Sequence, residues 1–494
     1  MKIKIIISFV LIILISSCSK GNKLEEKADS FADNVGSEFL TKDENISDSK
    51  PKDNWWLEFN DVVLNQLIDL GLKNNKDIQI ADLAIITSRQ LNNIIASSLL
   101  PSFSANLGRQ RFASPGFGPN GIEYDIYQTT FDAAWELDFL GKNLDRYKAG
   151  KLRFLEEVQL YKAATIRIAA EIAQNYIKLK SSQKQIEDLE EITDIRKKLV
   201  AIASQQEKEG RSSKVNIYDA QIELNSSLNQ LSEVRVSEKV LTYKLAVLVG
   251  KTPEEILGIL DKKSSKNNQK EIFDYYSGIV PVGLKSDIIR RRPDIIAAEY
   301  EINAALFDKK AQFKEFFPSF TLTAKIGGGD RDLGEVLKNG TNVKDIRGGI
   351  SIPIFQAGKL IAEYKISKAE AKIAVLNYEK TILSALEECE SQLARYINAL
   401  QIENNSDNAL QAAVKILQIN ENKKNSGVIS TEELLKSQIA VLNSQNQAAQ
   451  KKSDSLVNLI ALHKAIGGGF EGYEMRFEKD RIFWEEKTDN QNQN

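Results

Sequence analysis

Two stretches of this chain run without glycine or proline, residues 151–209 and 359–426, and each is followed by a second clean stretch, 211–249 and 428–466. Apolar residues recur along them at helical spacing. In the first these are Ile172, Tyr176, Leu179 and Ile186, then Ile192, Ile195, Leu199 and Ile202. In the second they are Leu383, Leu386, Leu393, Ile397 and Leu400, a stripe of the coiled-coil kind. One helix over 151–209 would extend ~90 Å at 1.5 Å per residue. A helix of that length does not fit inside a globular domain. It belongs in a rod, a bundle or a wall.

The same punctuation occurs twice. At an offset of 217 residues Pro101-Ser102-Phe103 falls on Pro318-Ser319-Phe320, Gly141-Lys142 on Gly358-Lys359, and Tyr147 on Tyr364. Gly210 falls on Gly427, Ser213 on Ser430, Gln221 on Gln438, and Gly250 on Gly467. Upstream, Asp77-Ile78 matches Asp294-Ile295 and Ala81 matches Ala298. With only 9 prolines and 27 glycines in 494 residues, this shared register points to a tandem duplication of a large structural unit.

Between the proline and the following glycine of each copy the period changes to two. Phe103, Ala105 and Leu107 alternate with Ser104 and Asn106. Tyr127, Thr129, Phe131, Ala133, Trp135 and Leu137 alternate with residues that include Asp132, Glu136 and Asp138. Phe320, Leu322, Ala324 and Ile326, and then Ile350, Ile352 and Ile354, repeat the pattern in the second copy. These are two-faced strands of roughly eight to twelve residues, a length that crosses a bilayer when tilted. The face with Asp132, Glu136 and Asp138 must look into water; the face with Phe131 and Trp135 suits lipid. The alternation alone fits a soluble sheet equally well. Segments 108–125 and 327–347, rich in Gly, Asn and Asp, are expected to be long outer loops. Four strands cannot close a barrel, since the smallest membrane barrels have about eight. An open sheet in lipid would leave backbone groups without partners, so several chains must join.

The N-terminus carries Lys2 and Lys4, an apolar stretch from Ile5 to Ile15, and Ile15-Ser16-Ser17-Cys18. The apolar core is too short for a spanning helix, which needs ~20 residues, and fits a secretory signal. The last four residues resemble a bacterial lipobox with Cys18 as the acylated residue; an ordinary signal peptide with an incidental cysteine is the alternative. Ser19 stands where an aspartate would suggest inner-membrane retention. Residues 19–52 are polar and poorly periodic and read as a tether. No apolar run after residue 18 approaches 18 residues, so any membrane crossing must use strands in a closed barrel. Net charge is −2 with mixed signs, which argues against a nucleic-acid partner. One histidine, His463, and two cysteines, Cys18 and Cys389, leave no basis for a zinc site or a disulfide framework.

As a set, several motifs are specific. They are the lipobox, Trp55-Trp56-Leu57-Glu58-Phe59, Arg291-Arg292-Pro293-Asp294-Ile295, the junctions Leu100-Pro101-Ser102-Phe103 and Phe317-Pro318-Ser319-Phe320, and Phe355-Gln356-Ala357-Gly358. From about Trp55 to Gly469 the sequence resembles the TolC-like outer-membrane efflux proteins, in particular the lipoprotein branch of OprM/NodT-type outer membrane factors. The resemblance implies a mainly α fold with a small β part. It implies a homotrimeric channel-tunnel with four membrane strands per chain, hence a 12-stranded barrel, and very long coiled-coil helices. It further implies a lipid-anchored place in the outer membrane, with a periplasmic adaptor and an inner-membrane pump as partners. Drugs or metal ions would pass outward without chemistry. An outlet for type I protein secretion is the rival within the class, and a non-channel coiled-coil envelope scaffold the rival outside it.

The family's closed end lies at the coiled-coil tips, here near Gly210-Arg211-Ser212-Ser213 and Gly427-Val428-Ile429-Ser430. Its gate acids fall on Glu433 and on Lys436; the latter departs from the usual aspartate, while Asp219 occupies the equivalent place in the first copy. A ring of such acids on a three-fold axis selects cations. Glu433 and Asp219 as ordinary solvated helix positions are the competing reading. The expected organisation is a signal peptide at 1–17, a lipidated tether at 18–52, a first repeat at 53–250, a linker at 251–283, a second repeat at 284–467 and a tail at 468–494.

Nothing points to catalysis, a cofactor or a metal. Gly250-Lys251-Thr252 lacks the earlier glycine of a phosphate loop, with Leu245 in its place, and reads as a helix end before a Thr-Pro turn. Arg290-Arg291-Arg292 before Pro293 reads as a helix entrance. His463 reads as a packed or surface residue, and Cys389 as a buried small apolar one.

Overall fold

The structure, a computed structural model, describes residues 23–36, 38–52, 54–114, 122–262, 279–338 and 343–468. The elements in chain order are α1 (Lys23–Asp33), β1 (Ile46–Ser47), a 3₁₀ turn (Trp55–Phe59), α2 (Val62–Asn74), α3 (Lys76–Ser97), β2 (Ser102–Ser114) and β3 (Ile122–Leu137). Next come α4 (Lys142–Lys208), α5 (Lys214–Val249), α6 (Pro253–Lys262), β4 (Val280–Pro281), α7 (Asp287–Arg291) and α8 (Pro293–Lys314). The chain continues with β5 (Ser319–Asp330), α9 (Leu333–Lys338), β6 (Val343–Ser351), α10 (Lys359–Asn425) and α11 (Thr431–Ala465). At 71% helix and 13% strand, the fold is mainly α with a small β part, as its sequence implies. Among the described residues no helix is long and apolar enough to cross a membrane.

The expected long helices are present and longer still. α4 and α10 each run 67 residues. α4 begins at Lys142 rather than after Gly150; Gly150 sits inside the helix, at a close approach to α3. A Cβ there would stand 2.4 Å from Asn92 Oδ1 of α3. Both junctions drawn from the Pro-Ser-Phe repeats also hold: α3 ends at Ser97 before β2, and α8 at Lys314 before β5.

The chain forms two compact units. Unit 1 (Met1–Asn34, Leu83–Gln159, Asp294–Thr381) holds a four-stranded antiparallel sheet in the order β2-β3-β5-β6. Each repeat contributes one hairpin, and β3 joins β5 at the seam, with Phe131 opposite Ile326 and Trp135 opposite Leu322. The expected outer loops are a correction. β2 and β3 carry their ladder on to Ser114 and Ile122, and β5 carries it to Asp330. The strands are 13, 16, 12 and 9 residues long. Beyond Leu107 the outward positions hold Arg109 and Arg111, whose ion pairs to Asp125 and Glu123 (2.8 Å each) continue the strand where apolar alternation stops. At the other end β6 stops at Ser351, so Ile352 and Ile354 lie outside it; Pro353 has no N–H to donate to a ladder.

The described residues of unit 2 (Val35–Asp82, Leu160–Pro293, Ile382–Asn494) are mainly helical, with a short parallel pair β1 and β4. Leu189, Ile192 and Ile195 of α4 bury against Leu231 of α5 and Leu442 of α11, flanked by Ile186, Leu199, Val234, Leu435 and Ile439. These are largely the stripe positions visible in the sequence. A second core gathers around Trp55, Trp56 and Phe59. Arg292 donates to Glu388 and to the Ala465 carbonyl (2.8 Å each), and Lys464 also reaches Glu388 (3.0 Å). Burial would raise the Glu388 carboxyl, but these two cations hold it below its usual range. The arginine triplet is therefore a helix entrance with a structural partner. Gly250, at φ +68, ends α5 where a Cβ would stand 2.3 Å from the Asn74 carbonyl oxygen, so only glycine fits. Within the segment expected to be a tether, α1 forms, Phe39 is buried, and the Leu40 N–H donates to Glu390.

Cys389 is fully buried and its thiol donates to the Ala465 carbonyl. His463 is buried too, its ring stacked on Trp55 with centroids 5.3 Å apart and planes 5° apart. Burial, and then the charge of Lys52, push its imidazole down to about 3. The unfolded chain takes up a proton at His463 as pH falls through ~6.5, whereas the folded chain resists until near 3. Stability from the neutral ring is therefore complete above pH 6.5 and is lost as pH falls from there toward 3. Between pH 6.5 and 4.5 this residue should account for about 2–3 kcal/mol of the loss. We expect His463→Gln to flatten the acid limb of a Tm-against-pH profile; superimposable profiles would refute the assignment.

Candidate functional site

The sheet of unit 1 has two chemically distinct faces. Register places Phe103, Ala105 and Leu107 of β2 beside Ala133, Phe131 and Thr129 of β3. Ala324, Ile326 and Leu322 of β5 follow on the same face, then Ile346 and Ile350 of β6. Phe103 and Ile346 are each 79% exposed and Leu107 71%, an apolar band that no other described residue covers. From Leu137 to Tyr127 the band rises ~33 Å along the strand. With a tilt of ~40° that is about 25 Å, the height of the apolar belt of a membrane barrel. Aromatic rings mark its limits. Near one border the Trp135 indole donates to the Leu99 carbonyl (3.1 Å) and Phe139 meets Phe320 edge-on at 5.1 Å. At the other, Arg109 lies over the Tyr127 ring at 5.7 Å, and the ion pairs of Arg109 and Arg111 take over.

The opposite face is polar. Ser104, Asn106, Thr130, Asp132, Glu136, Thr321, Thr323, Lys325 and Arg347 alternate in phase across the four strands. Asn106 donates to Asp132 at 2.8 Å, and Arg347 pairs with Asp345 at 2.7 Å. Asp132 and Glu136 thus share the water-facing side, as their spacing requires. Among the described residues, both outer strands, β2 and β6, have one edge without a partner.

Where the sheet meets the helices, a cavity of about 440 Å³ is lined by Glu136, Lys142, Arg146, Lys314 and Glu315 among others. Its charges already pair: Lys142 with Glu136 at 2.8 Å and Arg146 with Glu315 at 2.6 Å. This is a tied junction rather than a fitted ligand pocket.

In unit 2 the two hairpin turns are built alike. Gly210 and Gly427 adopt φ +71 and +73. Ser213 Oγ then accepts the Val215 N–H to start α5, and Ser430 Oγ accepts the Glu433 N–H to start α11. Asp219 lies in the second turn of α5 and Glu433 in the first turn of α11, both exposed. Lys436 is occupied by Glu432, one turn earlier, at 2.7 Å. Cys18 lies outside the described residues.

Residues 67–251 and 284–468 match the outer membrane efflux protein family, and the chain belongs to it. The probable efflux pump outer membrane protein TtgC of Pseudomonas putida is 28% identical over 422 residues, 84% of this chain and 85% of its own length. A probable outer membrane lipoprotein of Salmonella typhimurium, SilC, is 25% identical over 84% of this chain and 88% of its own. Among solved structures, the Campylobacter jejuni CmeC outer membrane channel superposes with a TM-score of 0.80 at 23% identity, covering 90% of this chain and 95% of that one. The open state of the Neisseria gonorrhoeae MtrE outer membrane channel gives 0.76 at 22% identity, covering 88% and 96%. The TolC-like channel fold is therefore that of this chain.

The two faces are separable by mutation. Phe131→Lys, mid-band on the apolar face, should cost about 2–4 kcal/mol in a membrane and sharply reduce the protein recovered in outer-membrane fractions. Thr323→Lys, on the polar face, should leave recovery near wild type. Equal loss for both would reverse the assignment of faces.

Proposed function

We propose that this protein is the outer-membrane duct of an efflux system, a passive channel through which an inner-membrane pump and a periplasmic adaptor expel small molecules. The observation that carries the reading is the four-stranded sheet, apolar on one face and polar on the other, with two edges open. Each unpaired backbone group in hydrocarbon costs several kcal/mol. A second and third copy supply the missing edges, and three sets of four strands make a barrel of twelve whose polar faces line the lumen. Unit 2 supports the same association. Val215, Tyr218, Ile222, Val236, Val240, Tyr243 and Val247 of α5 are exposed, as are Ile402, Ile416 and Ile419 of α10. Copies of the chain cover such faces. Relatives named for efflux of toluene and antibiotics in Pseudomonas putida fit this cargo class. A path that conducts without binding tightly needs no catalytic constellation.

Cys18 is the proposed acylation site, in line with the lipoprotein named among the relatives. Cys18→Ser should abolish incorporation of labelled fatty acid; retained label would remove the lipobox. Glu433 and Asp219 are the proposed gate acids, and the support is their place just beyond the two hairpin turns. Three copies of Glu433 near one axis would repel each other and attract cations. In planar bilayers the full-length protein should conduct, and Glu433→Ala should raise leak conductance or weaken block by multivalent cations. Unchanged conductance together with unchanged block would take Glu433 out of the gate. A protein that never conducts and behaves as a salt-extractable rod would overturn the duct itself.

A further inference from the structure

The outward face of the sheet changes character at one end only. At the end joined to the long helices its outward positions are Phe103, Trp135, Leu137, Phe320 and Ile350, all apolar. At the other end the apolar band gives way to ions. On β2 the outward residues after Leu107 are Arg109 and Arg111, and on β6 the outward residue next to Ile346 is Lys344. The two central strands carry the opposite sign at this end, Asp125 and Glu123 on β3 and Asp330 on β5. Cations therefore stand on the two strands with open edges, and carboxylates stand between them.

The arginines are held but not used up. Arg109 gives Nη2 to Asp125 and Arg111 gives Nη2 to Glu123, each at 2.8 Å across the β2–β3 ladder. Their side chains stay 56% and 63% exposed. The other N–H groups of both guanidiniums have no hydrogen-bond partner among the described residues. Lys344 is exposed as well, with no counter-ion among the described residues. Height decides what these cations meet. Arg109 is the register partner of Tyr127, at the border of the apolar band. Arg111 stands two residues further, about 5 Å of height on a strand tilted by ~40°. The headgroup layer of a bilayer is about 5–7 Å thick on each side. The two arginines span it.

Resting on the duct reading above, which puts this end at the outer leaflet, we propose that the border is a docking surface for a phosphate-bearing lipid. Arg109 and Arg111 clamp the headgroup phosphate. An exposed ion pair contributes little by itself, so Asp125 and Glu123 serve to hold the two guanidiniums spread outward along the strand. Each planar fork then offers a phosphate a pair of charge-assisted hydrogen bonds. Leu107 and Phe131, exposed on the same face below the arginines, take the acyl chains, which makes a lipid rather than free phosphate the occupant. Closing the barrel sets β2 of one copy beside β6 of the next. That brings Lys344 to the same site and places the lipid at a seam between two chains.

The test uses detergent-solubilised full-length protein, titrated with lipid A and with lipid A stripped of its phosphates, and read by native mass spectrometry. The phosphorylated lipid should bind about tenfold more tightly, the worth of roughly one charge-assisted hydrogen bond. Arg109→Gln combined with Arg111→Gln should remove most of that preference, whereas Arg347→Gln on the polar face should keep it. Inorganic phosphate at the same concentration should not displace the lipid. Equal binding of the two lipids by the native protein, which needs no variant, would overturn the docking surface. So would an undiminished preference in the double variant, or displacement by inorganic phosphate. A chain that conducts in bilayers yet ignores lipid phosphate would sink this proposal alone; a chain that never conducts would sink the duct, and the lipid site with it.

Discussion

Everything in this protein follows from the cost of an unpaired backbone edge. Four strands satisfy one another at three seams, and among the described residues the edges of β2 and β6 remain free. Water would tolerate those edges. Hydrocarbon does not, because it offers the N–H and C=O groups no substitute partner. An apolar band about 25 Å tall cannot be dissolved and cannot be left open, and this is why the proposed duct calls on sister chains. The unpartnered apolar faces of α5 and α10 express the same need in the helical unit, by burial of apolar area rather than by hydrogen bonding.

The tandem repeat meets that need economically. One hairpin from each copy makes the sheet, and the seam between copies, β3 against β5, is an ordinary antiparallel ladder. Both helical hairpins turn at a positive-φ glycine followed by a serine cap. Yet the copies have diverged where charge matters. Asp219 in one stands against Lys436 in the other, and Lys436 is held by its own neighbour Glu432. If the turns form the proposed gate, its charge comes from unlike positions in the two copies.

Much of this was legible in advance. Long helices could be read from the absence of breakers, and their seam from Ile192, Ile195 and Leu199, which the structure buries or half-buries at the contact of α4, α5 and α11. Strand faces could be read from the period-two runs around Phe131 and Asp132. The reading failed at the strand ends. Arg109, Arg111, Glu123 and Asp125 look like loop residues because they interrupt the apolar alternation, but they are paired across the ladder and extend it. The glycines of 327–329 likewise read as a loop, although they form the far end of β5 beneath α9. Composition also concealed the order in residues 38–47, where Phe39 and a few backbone bonds to Glu390 and β4 fix a polar segment.

By itself, then, the sequence determined the period of each element, the duplication and the two-sidedness of the strands, because these depend on the order of residue types along a few turns or pleats. Tertiary structure alone decided how far the strands run, that α9 packs back onto β3 and β5, and that His463 is a neutral ring stacked on Trp55. Those outcomes rest on partners far apart in the chain. A charged side chain reads as solvated until its counter-ion on the next strand is known, and a histidine reads as titratable until its burial is.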